Sequence, residues 1–236
     1  MTARLPVLWI AALLASPAAR GAGLAGELTY TTDYIFRGIS QGEPGSAGQL
    51  DLHYTTADGT FFGVFGTTLR RIYGHGYRGE IDGYLGHRFD LSPTWSTSIS
   101  ATQYSYVAGN LRHSSDYQEL AVSLAYLDQW TFTVAASPDQ VRYEGRYWLG
   151  HYAAYDADFA GQIPLGHGLF ATGGLGYYLL QGPAGTGYVY GNAGVAYEYR
   201  SLRADLGYYA VQKRAERMFP YGEAVDRVAG TLSWHF

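Results

Sequence analysis

Glu27–Arg37 reads ELTYTTDYIFR, and its alternation decides the fold. Leu28, Tyr30, Thr32, Tyr34 and Phe36 form one set, and Thr29, Thr31, Asp33, Ile35 and Arg37 the other. Successive side chains of a strand point to opposite faces, so a period of two marks a strand with two unlike sides. The pattern recurs along the chain. Within Glu80–Leu91, Ile81, Leu85, Phe89 and Leu91 alternate with Glu80, Asp82, Tyr84, Arg88 and Asp90. Within Tyr188–Arg200, Val189, Ala193, Val195, Tyr197 and Tyr199 alternate with Tyr190, Asn192, Glu198 and Arg200. Twelve such runs are predicted: 26–37, 46–56, 60–70, 79–90, 94–106, 115–127, 129–137, 146–159, 168–180, 188–199, 202–212 and 224–236. Most reach the roughly 9–11 residues of a tilted membrane strand, where strands of soluble proteins average roughly 5–6.

The connections alternate long and short. The long ones fall at 38–45, 71–78, 107–114, 138–145, 181–187 and 213–223. The short ones are Ala57–Gly59, Leu91–Pro93, Asp128, the looser Ala160–His167, and Arg200–Ser201. An outer-membrane barrel has short periplasmic turns and longer external loops, and with both termini in the periplasm its first connection must be a long one. The expected fold is therefore all-β, a transmembrane antiparallel up-and-down β-barrel of about twelve strands, occupying residues 26–236.

Residues 1–25 are set apart. Arg4, the apolar run Leu5–Ser16 and the small residues from Ala18 to Ala25 have the layout of a cleaved signal peptide, with cuts after Gly21, Ala22 or Ala25 all compatible and Ala25 preferred. The apolar run is too short for the roughly 20 residues of a spanning helix. Removing this stretch leaves 14 basic against 20 acidic residues, a formal charge of −6, which argues against general nucleic-acid binding. The chain has no cysteine, so stability must come from hydrogen bonding and packing, as in a closed barrel.

The alternation assigns faces. Tyr34, Tyr54, Trp95, Tyr126, Trp130, Tyr147, Tyr177 and Tyr197 fall on the outward set and suit interfacial aromatic girdles. Inward Tyr84, Tyr104, Trp148, Tyr178 and Tyr190 suit space filling, with carbohydrate stacking the less common alternative. The lumen candidates are Asp33, Arg37, Glu80, Asp82, Arg88, Glu119, Arg146, Asp156, Asp158, Glu198, Arg203, Asp205 and Arg227. With Asp51, Arg200 and Lys213 they give nearly balanced charge, which argues against a strongly ion-selective ring. Asp33 and Arg37, about 13 Å apart on one strand at its ordinary rise, cannot bond each other and should bridge to neighbouring strands. No internal segment is long enough to read as a plug, although the loop at 213–223 has the length to fold inward.

Basic loops offer Arg70, Arg71, Arg78, Arg112, Arg142, Arg214 and Arg217 as contacts to lipopolysaccharide phosphates, which arginine binds bidentately. Phe236 ends the chain, with Trp234, Leu232 and Val228 at alternate positions before it. That resembles the signal by which the barrel-assembly machinery recognises its substrates. The segment Tyr30–Gln41, with Thr32, Asp33, Tyr34, Phe36, Arg37, Gly38, Ser40 and Gln41 matching S/T-D-Y-x-F-R-G-x-S-Q, resembles the opening of the TorF-type porin family of proteobacterial outer-membrane proteins. That resemblance implies a Gram-negative outer-membrane barrel of about this length. His87 and His151 fall on the apolar set, but no G-x-S-x-G, H-E-x-x-H or phosphate-loop motif is present, so no catalytic, metal or cofactor residue is assigned. The expected function is a narrow passive channel for small polar solutes. A non-conducting barrel with a structural, lipopolysaccharide-binding or surface-interaction role is the alternative.

Overall fold

A computed structural model of the chain describes residues 22–42, 45–69, 77–108, 115–144, 147–182, 186–219 and 222–236. The signal-peptide reading of the first residues lies outside these, as do Arg70, Arg71, Arg112 and Arg146. Twelve wall positions close into one antiparallel barrel. They are β1 (Gly23–Thr31), β4 (Ala47–Thr55), β5 (Thr60–Thr68), β6 (Tyr77–Asp90), β7 (Trp95–Tyr104) continued past Ser105 by β8 (Tyr106–Ala108), β9 (Tyr117–Tyr126), β10 (Trp130–Glu144), β11 (Tyr147–Gly166), β12 (Leu169–Leu180), β13 (Thr186–Tyr199), β14 (Leu202–Val211) and β15 (Arg227–His235). Two short strands, β2 (Ile35–Phe36) and β3 (Ile39–Ser40), pair only with each other.

Closure is made by β1 against β15, from Glu27↔His235 to Thr31↔Thr231. The last residue completes it: Gly26 N–H donates to the Phe236 carbonyl at 2.9 Å, and Phe236 N–H to that of Gly26 at 3.0 Å. The Phe236 ring lies over Gly26, where a Cβ would sit 2.7 Å from it, so any side chain there would have to displace the ring. Closing the sheet leaves no exposed edge, which is the condition for crossing a bilayer with strands.

The faces are as the alternation predicts. Leu28, Tyr30, Val64, Ile81, Leu85, Val122, Leu175, Leu206 and Val228 are exposed on the outside, whereas Thr29, Asp51, Asp82, Thr133 and Arg203 are buried inside. Outward aromatic pairs gather towards the short-turn end, with Trp95 against Tyr126 at 4.8 Å and Trp234 against Phe236 at 5.0 Å. The short turns rest on left-handed residues: Leu127 and Asp128, both at positive φ, lie in the three-residue turn between the paired Tyr126 and Trp130.

Four expectations are corrected. The run 26–37 is not one strand; β1 stops at Thr31, and Tyr34 turns inward and is buried. The segment 138–145 is mostly strand, because β10 continues past Pro138 through a bulge between Ser137 and Gln140. Ala160–Gly166 is strand too, and the turn shrinks to His167–Gly168. A plug does exist, and it is the opening motif itself.

Candidate functional site

Thr32–Gln41 leaves the end of β1 and folds into the barrel as a hairpin. Phe36 pairs with Ile39 and Ile35 with Ser40 across a two-residue turn at Arg37 (φ 51°) and Gly38 (φ 74°). Left-handed conformation at both central residues defines the type I′ turn, which glycine enters without strain. Gly38 is needed for a second reason: a Cβ there would lie 2.7 Å from Tyr190 Cβ.

The hairpin spans the lumen. β10 stands opposite β1 in the ring, separated from it by β4, β5, β6, β7 and β9 on one side and by β15, β14, β13, β12 and β11 on the other. Arg37, at the tip, reaches the two strands that flank β10. Its guanidinium lies 2.8 Å from Glu119 on β9 and 3.3 Å from Asp156 on β11. The Phe36 ring lies 4.6 Å and the Tyr178 ring 5.2 Å from it, two cation–π contacts. Tyr190 donates to Asp156 at 2.8 Å, and Tyr104, stacked on Tyr117, donates to Glu119 at 3.4 Å. All three charged groups are more than nine-tenths buried. Buried charges persist only when paired and hydrogen-bonded, and this set meets both conditions.

The base of the hairpin is tied as firmly. Ser40 donates to Asp33 at 2.6 Å, and Arg227 on β15 bonds the other Asp33 oxygen. Arg227 also donates to the carbonyls of Gly222 and Glu223, and Ser40 N–H to that of Glu223 at 3.1 Å. The loop between β14 and β15 therefore lies over the hairpin. Its short 3-10 helix, Lys213–Arg217, puts Ala215 and Met218 inward against Ile39, Tyr178 and Tyr188. The expectation that this loop folds inward is met. Every position of the opening motif now has a structural task. Ile35 packs on Tyr209 and Ala229, Tyr34 on Phe65, and Gln41 N–H closes the base on the Tyr34 carbonyl at 2.8 Å.

Towards the short-turn end a second polar layer fills the barrel. Arg203, 2% exposed, bonds Asp205, Glu198 and Gln162. Tyr84 donates to Asp51 at 2.7 Å, whose other oxygen meets His53. Arg88 bridges Asp90 and Asp128 beside a mouth cavity of about 770 Å³ lined by Asp58, Arg88, Ser96 and Asp128 among others.

Of the sequence candidates, Asp33, Arg37, Glu80, Asp82, Arg88, Glu119, Asp156, Asp158, Glu198, Arg203, Asp205 and Arg227 all face the interior. Arg37 and Asp33 do so from the hairpin rather than from a wall strand. Arg200 and Lys213 are exposed and leave the lumen set: Arg200 sits in a turn over the Tyr199 ring, and Lys213 begins the loop helix. The expected near-balance of charge is thereby lost in favour of acids. Arg142 is corrected as well. It is buried, donating to the carbonyls of Leu180 and Gln181, and does not present itself to lipid phosphate. Arg78, Arg214 and Arg217 are exposed at the long-loop end. Both unusual histidines have plain partners, His87 the Thr60 hydroxyl at 3.0 Å and His151 the Asp139 carbonyl at 2.7 Å. Asp58 bonds Thr60 rather than His87, so no base-and-orienter pair is formed there.

A closed, aromatic-belted, twelve-stranded barrel with a polar interior and an inward-folded segment defines the class of porin-like transmembrane barrels. The chain belongs to the Gcw_chp family, described as bacterial proteins of unknown function, whose model matches residues 15–222. Solved structures with the same fold include the NanC porin (7% identity, TM-score 0.58, covering 89% of this chain and 98% of that one). A KdgM porin in complex with disordered oligogalacturonate is similar as well (7%, TM-score 0.53, 90% and 99%). So is an OmpF of Salmonella typhi in complex with daunomycin (10%, TM-score 0.50, 91% and 97%). No curated protein matches the sequence.

Proposed function

We propose that this protein is a narrow outer-membrane channel for small polar solutes, held closed by the hairpin in the conformation seen here. The observation that carries the reading is the hairpin itself, crossing from β1 to the acids on β9 and β11, where Arg37 holds its tip. Twelve strands lie between eight, where side chains fill the interior, and sixteen or more, where an aqueous channel remains, so a movable segment decides patency. The porin-like neighbours and the TorF-type resemblance of the hairpin sequence support the same class. Export by the N-terminal leader and recognition of Val228, Leu232, Trp234 and Phe236 by the assembly machinery complete the reading.

Single-channel recording in planar bilayers tests it. The refolded wild type should show rare, brief openings, and Arg37→Ala long openings of steady amplitude. Folded barrels silent in both forms would leave the non-conducting structural reading, which the burial of so many lumen side chains favours.

A further inference from the structure

We propose that the pore selects small cations, with Glu80 and Asp82 on β6 setting the preference; the inference rests on the channel reading. Each described arginine inside the barrel is already engaged. Arg37 holds Glu119 and Asp156, Arg203 holds Glu198 and Asp205, Arg227 holds Asp33, Arg88 holds Asp90 and Asp128, and Arg142 serves two carbonyls. Glu80, Asp82 and Asp158 remain, with no ion pair among the described residues.

The β6 pair is the more telling. Two residues apart on one strand, Glu80 and Asp82 point to the same side. They are 2% and 0% exposed. Ser105 N–H donates to Asp82 Oδ1 at 3.3 Å, but Asp82 Oδ2 and Glu80 Oε2 are buried without a hydrogen-bond partner. Tyr34, on the hairpin, also has a buried hydroxyl without a partner. Its ring packs 6.2 Å from Phe65, the residue opposite Asp82 in the β5–β6 register. Hairpin and wall thus bring three unsatisfied oxygens into one layer. A buried polar atom without a partner is costly, and a buried carboxylate oxygen more so. A cation entering this layer supplies what the two carboxylate oxygens lack, whereas an anion meets two carboxyl groups and, of the three unpartnered groups, only the Tyr34 hydroxyl has a proton to donate. Low-dielectric walls of one sign focus the field along the path, the principle by which rings of Asp and Glu favour cations. The sign is opposite to what an acidic oligosaccharide requires.

The reversal potential under a KCl gradient tests this, on the wild type and on Gly38→Val, which unseats the hairpin tip without altering charge. Potassium should permeate several-fold better than chloride, and Glu80→Gln/Asp82→Asn should bring the ratio towards one. A conducting pore that ignores charge or prefers chloride overturns cation selection and leaves the channel intact. Silence from both the wild type and Gly38→Val overturns both, and identifies the channel reading as the one that failed. Should the double variant not fold, the wild-type reversal potential decides alone.

Discussion

Arg37 concentrates the logic of this barrel in one side chain. Its position in a D-Y-x-F-R-G-x-S-Q string marks it as inward and charged, and the alternation places Asp33 inward with it. What the string conceals is that Arg37 and Gly38 are a turn. Read as strand, the residues keep a perfect period of two, because β2 and β3 are strands themselves and a two-residue turn preserves parity. Removing the guanidinium leaves Glu119 and Asp156 buried against each other, and breaking one side of a buried ion pair costs on the order of 3–5 kcal/mol. Arg37→Ala is therefore expected to unfold at lower denaturant than the wild type, while Arg37→Ala/Glu119→Gln/Asp156→Asn, which removes the stranded charge, recovers much of the loss. Equal midpoints for Arg37→Ala and wild type would show that the hairpin does not rest on this pair.

At the scale of elements, the loop between β14 and β15 is the cap of the hairpin, and its last residue reports on its order. Asp226 accepts from the Val211 N–H at 3.0 Å and from the Tyr208 hydroxyl at 2.8 Å. The Val211 N–H first, then Tyr208, hold its carboxyl below the usual carboxylate range. A carboxyl with a depressed pKa in the folded state stabilises it above the unfolded value of about 3.9, and that contribution fades as pH falls through the folded value. The loop should loosen only in acid. The Val211 amide resonance is expected to move through that range in the wild type and to stay put in Asp226→Asn; identical titrations would sink the assignment. The length of this loop was legible as capacity to fold inward. The extension of β10 and β11 was not, because Pro138 reads as a breaker unless the bulge that accommodates it is seen.

The molecule as a whole presents an acid-rich interior within an apolar, aromatic-belted exterior, with exposed arginines at its long-loop end. Arg78, Arg214 and Arg217 are free to meet phosphates there, as Arg142 is not. Replacing these three with alanine should lower the lipopolysaccharide that co-purifies with the folded protein, and undiminished lipopolysaccharide would remove them from the reading. Arg142→Ala should instead disturb the β10–β12 wall, through the carbonyls of Leu180 and Gln181 that it serves.

By itself the sequence determined the barrel, its approximate strand number and the side that most wall residues face. These follow from a period of two, from turn chemistry and from the need of a bilayer for a closed sheet, all of them local or global rules with no partner to choose. Only the tertiary structure decided whether the lumen is occupied, and by what. Glu119 lies 82 residues from Arg37, and nothing in either segment names the other. Their meeting depends on the ring placing β9 and β11 opposite β1, so that a hairpin long enough to cross finds two acids at its tip.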